Sequence, residues 1–174
     1  NPQSAAMNVF YEEEGAFKIG AVLADNAASL QVEAPHGKRS KVKASNVLFR
    51  FDDARLADFM SEAQKLAEGM DVDFLWQCCG GEEFSYETLA QEYFGRAPTP
   101  VESAGLLIKL HGAPMYFYKK GRGCYKAAPP DALKAALASV ERKRREAEQK
   151  AQYVAQLTQF KLPAEFAPKL ASLL

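Results

Sequence analysis

From Met7 to Phe51, apolar and polar residues alternate in short runs separated by turn residues, the period-2 signature of half-buried strands. The runs are 8–11, 17–24, 29–33, 40–43 and 47–51, with turn signals at Glu14-Gly15, Asp25-Asn26 and Pro35-His36-Gly37-Lys38. About five short strands joined by tight turns predict a small SH3-like β-barrel over 7–51. At Asp52 the period becomes helical. Leu56, Phe59, Met60, Ala63, Leu66 and Ala67 recur at helical spacing, with Asp53 placed to cap and Gly69 to stop. A shorter, more apolar helix is expected over 71–79, closed by Gly80-Gly81.

The stretch 82–127 organises the middle of the chain. Residues 84–94 read as an amphipathic helix with Phe84, Leu89, Ala90, Tyr93 and Phe94 on its apolar side, Ser85 as cap and Gly95 as terminator. Arg96-Ala97-Pro98 is the turn. Thr99 then caps a second helix with Pro100 at its first position, and Glu102 completes a capping box. Ala104, Leu107, Ile108 and Leu110 give this helix its buried side. Residues 115–126 follow as strand, basic Gly-rich turn and strand. Helix, turn, helix and basic hairpin predict a winged helix-turn-helix over 52–128, with the preceding helices as its lead-in.

Past Pro129-Pro130 a long helix is expected from about 131 to 159. Its middle is almost wholly charged, with Glu141–Arg145 and Glu146–Lys150 spaced for i,i+4 pairs, which reads as a solvated spacer. A short amphipathic helix over 164–174 ends the segment 129–174. The fold class is therefore α+β. Residues 1–6 read as a non-native leader before Met7, and the apolar end Leu173-Leu174 predicts that a further, catalytic domain follows.

The 174 residues carry equal numbers of acids and bases, for a formal net charge of zero. A nucleic-acid site must therefore come from local segregation of charge. From Asp52 to Glu92 acids dominate, opposed by Arg55 and Lys65 alone; from Glu102 to Asp131 no acid occurs, while Lys109, Lys119, Lys120, Arg122 and Lys126 do. The three cysteines, Cys78, Cys79 and Cys124, do not suggest a disulfide framework and fit a reducing cytoplasm. Cys78 and Cys79 read as buried small hydrophobes, and Trp76 as a core anchor. The sequence has two histidines and no Cys-x-x-Cys, so no zinc site is expected. Asp52-Asp53 reads as helix capping rather than as Mg²⁺ ligation, since no further carboxylate cluster accompanies it. No apolar run approaches the ~20 residues that cross a bilayer.

The candidate phosphate contacts are Lys119, Lys120, Arg122 and Lys126 on the wing, Lys109 on the second helix, and Lys38, Arg39, Lys41 and Lys43 on a basic hairpin of the barrel. Lysines on a strand edge equally protect it from aggregation. Tyr116, Tyr118 and Tyr125 are candidates for stacking on bases, although alternation turns some of these rings inward. No residue stands out as a catalytic nucleophile, general base or metal ligand.

The phrases Met7-Asn8-Val9-Phe10-Tyr11-Glu12-Glu13, Leu30-Gln31-Val32-Glu33-Ala34-Pro35-His36-Gly37-Lys38 and Ala113-Pro114-Met115-Tyr116-Phe117-Tyr118-Lys119-Lys120-Gly121-Arg122-Gly123 resemble the N-terminal region of a proteobacterial branch of the ribonuclease II/R family. The resemblance covers nearly the whole chain from Met7. It implies a parent protein that is a processive 3′→5′ exoribonuclease, using Mg²⁺ held by aspartates of a large catalytic domain and releasing nucleoside monophosphates. The aspartate-rich catalytic motif does not occur in these residues. Many family members begin with OB-fold domains, and this chain departs from that pattern, so no RNA contact transfers residue by residue. The expectation is a non-catalytic, RNA-binding region that guides RNA to its own catalytic domain, with no cofactor of its own and no membrane partner. A DNA-binding regulator is the second reading, in which Glu102, Ser103, Gly105 and Lys109 would face the major groove. A protein-interaction scaffold is the third.

Overall fold

The computed structural model describes residues 7–53 and 55–160. The expected leader over 1–6 and the expected helix over 164–174 lie outside them. The chain is α+β and divides into two compact units, one through Ala128 and one from Pro129 onward.

Five antiparallel strands open the first unit: β1 (Asn8–Glu13), β2 (Ala16–Asp25), β3 (Ser29–Glu33), β4 (Arg39–Lys43) and β5 (Val47–Phe51), in the order β4-β3-β2-β1-β5. A single 3-10 turn, Ala44–Asn46, separates β4 from β5. Glu14 (φ 53) and Gly15 (φ 78) are both left-handed, the geometry in which a two-residue hairpin turn matches strand twist. β4 and β5 are the edges and do not pair with each other, so the sheet is open where a barrel was expected. The two faces carry separate apolar clusters. Val9 and Tyr11 cluster with Leu30, Val32 and Val42 on one side. Phe10, Ile19 and Phe51 on the other side join a larger core with the helices.

That larger core is built by α1 (Leu56–Glu68), α2 (Val72–Cys78), α3 (Tyr86–Phe94) and α4 (Pro100–His111). A second antiparallel sheet, ordered β6-β8-β7, consists of β6 (Phe84–Ser85), β7 (Phe117–Gly121) and β8 (Cys124–Ala127). The expected punctuation of α3 and α4 is present. The Ser85 hydroxyl accepts the Glu87 N–H, Gly95 is left-handed at φ 71, and Thr99 and Glu102 form a reciprocal capping box. At Gly105 a Cβ would lie 3.0 Å from Leu66 Cβ and 3.1 Å from the Ala63 carbonyl, so glycine lets α4 lie close against α1.

Several local expectations are corrected. Asp53 does not cap α1: its carboxylate accepts the Arg55 N–H at 2.8 Å in the turn before the helix, whose cap position is Arg55. Phe84 belongs to β6, and the buried face of α3 is Tyr86, Leu89 and Ala90. Cys78 is exposed and Cys79 half-buried. The Cys79 thiol donates to the Leu75 carbonyl at 3.3 Å, and burial pushes its pKa up to about 11, so it stays protonated at neutral pH. Trp76, by contrast, packs against the core as expected while half-buried; its indole N–H donates to the Ala128 carbonyl at 2.9 Å and ties α2 to the end of β8.

The turn into α4 carries a bidentate ion pair. Arg96 grips Glu102 through two hydrogen bonds of 2.7 Å, and the Thr99 N–H donates to the same carboxylate at 2.9 Å. The Arg96 guanidinium, aided by the Thr99 N–H, holds the Glu102 pKa down at about 2. A depressed carboxylate contributes stability that is complete above the unfolded-state value of about 4.3 and is lost as pH falls toward the folded value. In Arg96→Ala the Glu102 carboxyl is expected to titrate back toward the ordinary range, followed by carboxyl carbon chemical shifts. A titration still centred near the wild-type value would remove Arg96 as the cause.

The second unit contains α5 (Pro130–Gln159). Arg144 bridges Glu141 and Glu148 at 2.7 Å each, and Arg145 reaches Glu141 at 3.3 Å. The Glu146–Lys150 pair expected from spacing is not among the ion pairs of the described residues.

Candidate nucleic-acid interface

The candidate residues fall into four groups once folded. The first is the β4 edge. Arg39, Lys41 and Lys43 stand two apart, exposed on one face of an edge strand, and Lys38 is exposed in the turn before it. Arg39 pairs with Glu33 across the strands at 3.3 Å. Lys38, Lys41 and Lys43 have no acidic partner among the described residues.

The second group is the outward face of the β7–β8 hairpin. Tyr118 lies directly opposite Lys126. The residue is 37% exposed, enough to offer a stacking surface. Lys120 follows two residues on, exposed, where the strand pairing slips between Lys119 and Gly121. Neither Lys120 nor Lys126 is ion-paired among the described residues.

The third group holds the hairpin in place. Phe117 and Tyr125 turn inward and are 2% and 1% exposed. Tyr125 therefore cannot stack on a base, a correction that follows from strand alternation, and burial pushes its hydroxyl pKa up to about 12. Lys119 reaches Glu12 of β1 at 2.5 Å. Arg122, at the tip, donates to the carbonyls of Ala44 and Ser45, which immediately follow Lys43. These contacts bring the tip of the basic hairpin against the end of the basic strand β4. Lys119, Gly121 and Arg122 line an open cleft of about 320 Å³ with Glu12 and Ser45.

The fourth group lies apart from the hairpin's outward face. Lys109 and Tyr116, which precedes β7, line an apolar groove of about 680 Å³ with Val72, Ile108 and Met115. The Tyr116 pKa is raised, first by burial and then by its hydrogen bond to Asp73.

Comparison with family models, curated proteins and solved structures returns no match.

Two residues of the site carry no role in the sequence reading. Tyr86 donates its N–H to the Gly123 carbonyl at 2.9 Å and its hydroxyl to the Leu48 carbonyl at 3.2 Å, joining the hairpin turn, α3 and β5. The spacing of Tyr86, Leu89, Ala90 and Tyr93 marks this face. His111 donates from Nε2 to the Gly15 carbonyl at 2.8 Å; a carbonyl only accepts, so Nε2 carries the proton. Among the described residues no three of His, Cys, Asp and Glu group as metal ligands. No helix among them is long and apolar enough to cross a membrane.

Proposed function

We propose that this chain is an RNA-binding, non-catalytic region of a cytoplasmic ribonuclease II/R-like 3′→5′ exoribonuclease, guiding RNA toward a Mg²⁺-dependent catalytic domain elsewhere in the parent protein. We take the first sheet as SH3-like, from its strand order and the 3-10 turn before β5. We take β6 to β8 with α1, α3 and α4 as a winged helix-turn-helix. The carrying observation is the free face of the wing: Tyr118, Lys120 and Lys126, unpaired among the described residues, on a hairpin whose other cations are used to anchor it. A cationic surface with an open ring suits a phosphate backbone and unpaired bases.

The DNA reading has less support. Ser103 and Gly105 of α4 are buried and Glu102 is held by Arg96, which leaves no set of outward base-reading side chains on that helix.

The test is binding to labelled single-stranded RNA, duplex RNA and duplex DNA across a salt series. Each single-strand phosphate contact contributes a slope of about −0.7. Lys120→Ala with Lys126→Ala is therefore expected to flatten the slope by about 1.4 in total. Lys119→Ala, which removes an anchor and not a free cation, is expected to change the slope less. An unchanged slope in the double variant would take the wing out of the interface. Binding to none of the three would favour the scaffold reading.

A further inference from the structure

We propose that the exposed face of α2, together with the end of α3, is a docking surface for a basic amphipathic helix of a protein partner, in which the Phe74 ring receives an apolar anchor and the carboxylates beside it pair with cations. This surface goes beyond the RNA reading and does not depend on it. It rests on an aromatic ring left outside the core and on charge of a single sign around that ring.

Phe74 is 52% exposed. Leu75 is fully buried, and Val72, Trp76 and Cys79 pack against the core, whereas Phe74 joins neither apolar cluster. Cys78, one helical turn after Phe74, is also exposed, so the two form an outward pair at i, i+4. The Phe74 ring lies edge-on to Tyr93 of α3, with centroids 6.3 Å apart. Tyr93 in turn meets Phe94 edge-on at 4.9 Å. Tyr93 and Phe94 are half-buried against the core. The row of rings thus begins in the fold and ends at Phe74, on the surface.

From Asp71 to Gly95 the chain carries Asp71, Asp73, Glu82, Glu83, Glu87 and Glu92, and no Lys, Arg or His. None of these acids is in an ion pair among the described residues. Arg96, the next cation along the chain, is held by Glu102. Asp73 directly precedes Phe74, and Glu92 directly precedes Tyr93. Glu92 also lies beside the end of α2: the Cys79 thiol, raised first by burial and then by Cys78, is raised further by the Glu92 carboxylate. Unpaired carboxylates repel phosphates, so this face does not suit nucleic acid. Its complement brings an apolar side chain and positive charge together. A helix with apolar residues at i, i+4 among Lys and Arg supplies both, and an Arg guanidinium gains further from an open ring face. Phe74, Cys78, Tyr93, Asp73 and Glu92 lie outside the wing and β4, so this surface shares no residue with the RNA candidates.

The experiment titrates the 174-residue chain against a fluorescein-labelled helical peptide of Lys and Arg that carries two leucines at i, i+4, read by fluorescence anisotropy across a salt series. Two control peptides replace the leucines with alanine or the cations with glutamate. The leucine peptide is expected to bind, more weakly as salt rises. The alanine peptide is expected to bind at least about tenfold more weakly, and the acidic peptide not at all. Phe74→Ala is expected to cost the leucine peptide a similar factor while leaving the circular dichroism spectrum unchanged, because the ring lies outside the core. Asp73→Asn with Glu92→Gln is expected to weaken binding and flatten its salt dependence. Equal affinity for the leucine and alanine peptides, or unchanged affinity in Phe74→Ala, overturns the docking surface. Loss of RNA binding in Phe74→Ala would give the face to nucleic acid and overturn it too. Self-association in sedimentation that Phe74→Ala removes, with no peptide binding, would give the face to a second copy and likewise overturn it.

Discussion

Phe59→Ala is expected to destabilise the unit through Ala128 by about 3–5 kcal/mol. Phe59 is 1% exposed, and its ring stacks on Phe51 of β5 at 4.4 Å and lies 6.4 Å from Phe10 of β1. It is a buried side chain of α1 in the core shared with the first sheet. Truncation removes the ring's contacts with both strands and leaves a cavity that the surrounding aromatic rings can only partly fill. Urea unfolding followed by circular dichroism measures the loss. Phe59→Leu, which retains most of the apolar volume, is expected to lose less. A loss below about 1 kcal/mol for Phe59→Ala would mean that the two layers do not depend on this contact.

Gly123→Ala is expected to cost about 2–5 kcal/mol and to weaken the proposed RNA binding with it. Two independent effects add. Gly123 is left-handed at φ 70, a conformation that costs an L-residue about 1–2 kcal/mol. A Cβ there would also lie 2.9 Å from Tyr86 Cδ1 and 3.1 Å from Leu48 Cδ2, and overpacking of this kind costs about 1–3 kcal/mol. Tyr86 cannot easily yield, because its ring is buried and both its N–H and hydroxyl are engaged. The hairpin must therefore shift, carrying Arg122 off the Ala44 and Ser45 carbonyls and moving Lys120 relative to β4. Thermal unfolding and RNA titration on the same variant separate the two losses. Tyr86→Phe is the control: it keeps the ring and removes one hydrogen bond, worth about 1 kcal/mol. Full stability in Gly123→Ala would mean that the tip of the wing is not seated as described.

The two variants mark where local pattern was sufficient and where it was not. Gly95, Thr99, Pro100 and Glu102 were legible because each acts within one turn of chain, through its own backbone conformation or a neighbour's N–H. Strands β3 and β5 were legible to the residue, since alternation and turn chemistry are also local. Asp53 was misread because an aspartate before a helix can satisfy either a cap or a preceding turn, and the chain here takes the turn. Cys78 was misread because a short apolar run does not say which side of a helix faces the core; Cys79, next to it, does pack against the core.

The cations show the same division. Lys119, Lys120 and Arg122 are equivalent in sequence, three positive charges around a glycine turn. In the fold Lys119 pairs with Glu12, more than 100 residues away in sequence, Arg122 caps carbonyls of the 3-10 turn, and Lys120 is left free. Nothing within the hairpin encodes that difference. The sequence by itself determined most of the elements, the α+β class and the concentration of positive charge on one hairpin and one strand, because these depend on spacing along the chain. Only the tertiary structure decided that the first sheet stays open, which tyrosine is buried and which cations are anchors. Each of those depends on contacts between residues far apart in the chain.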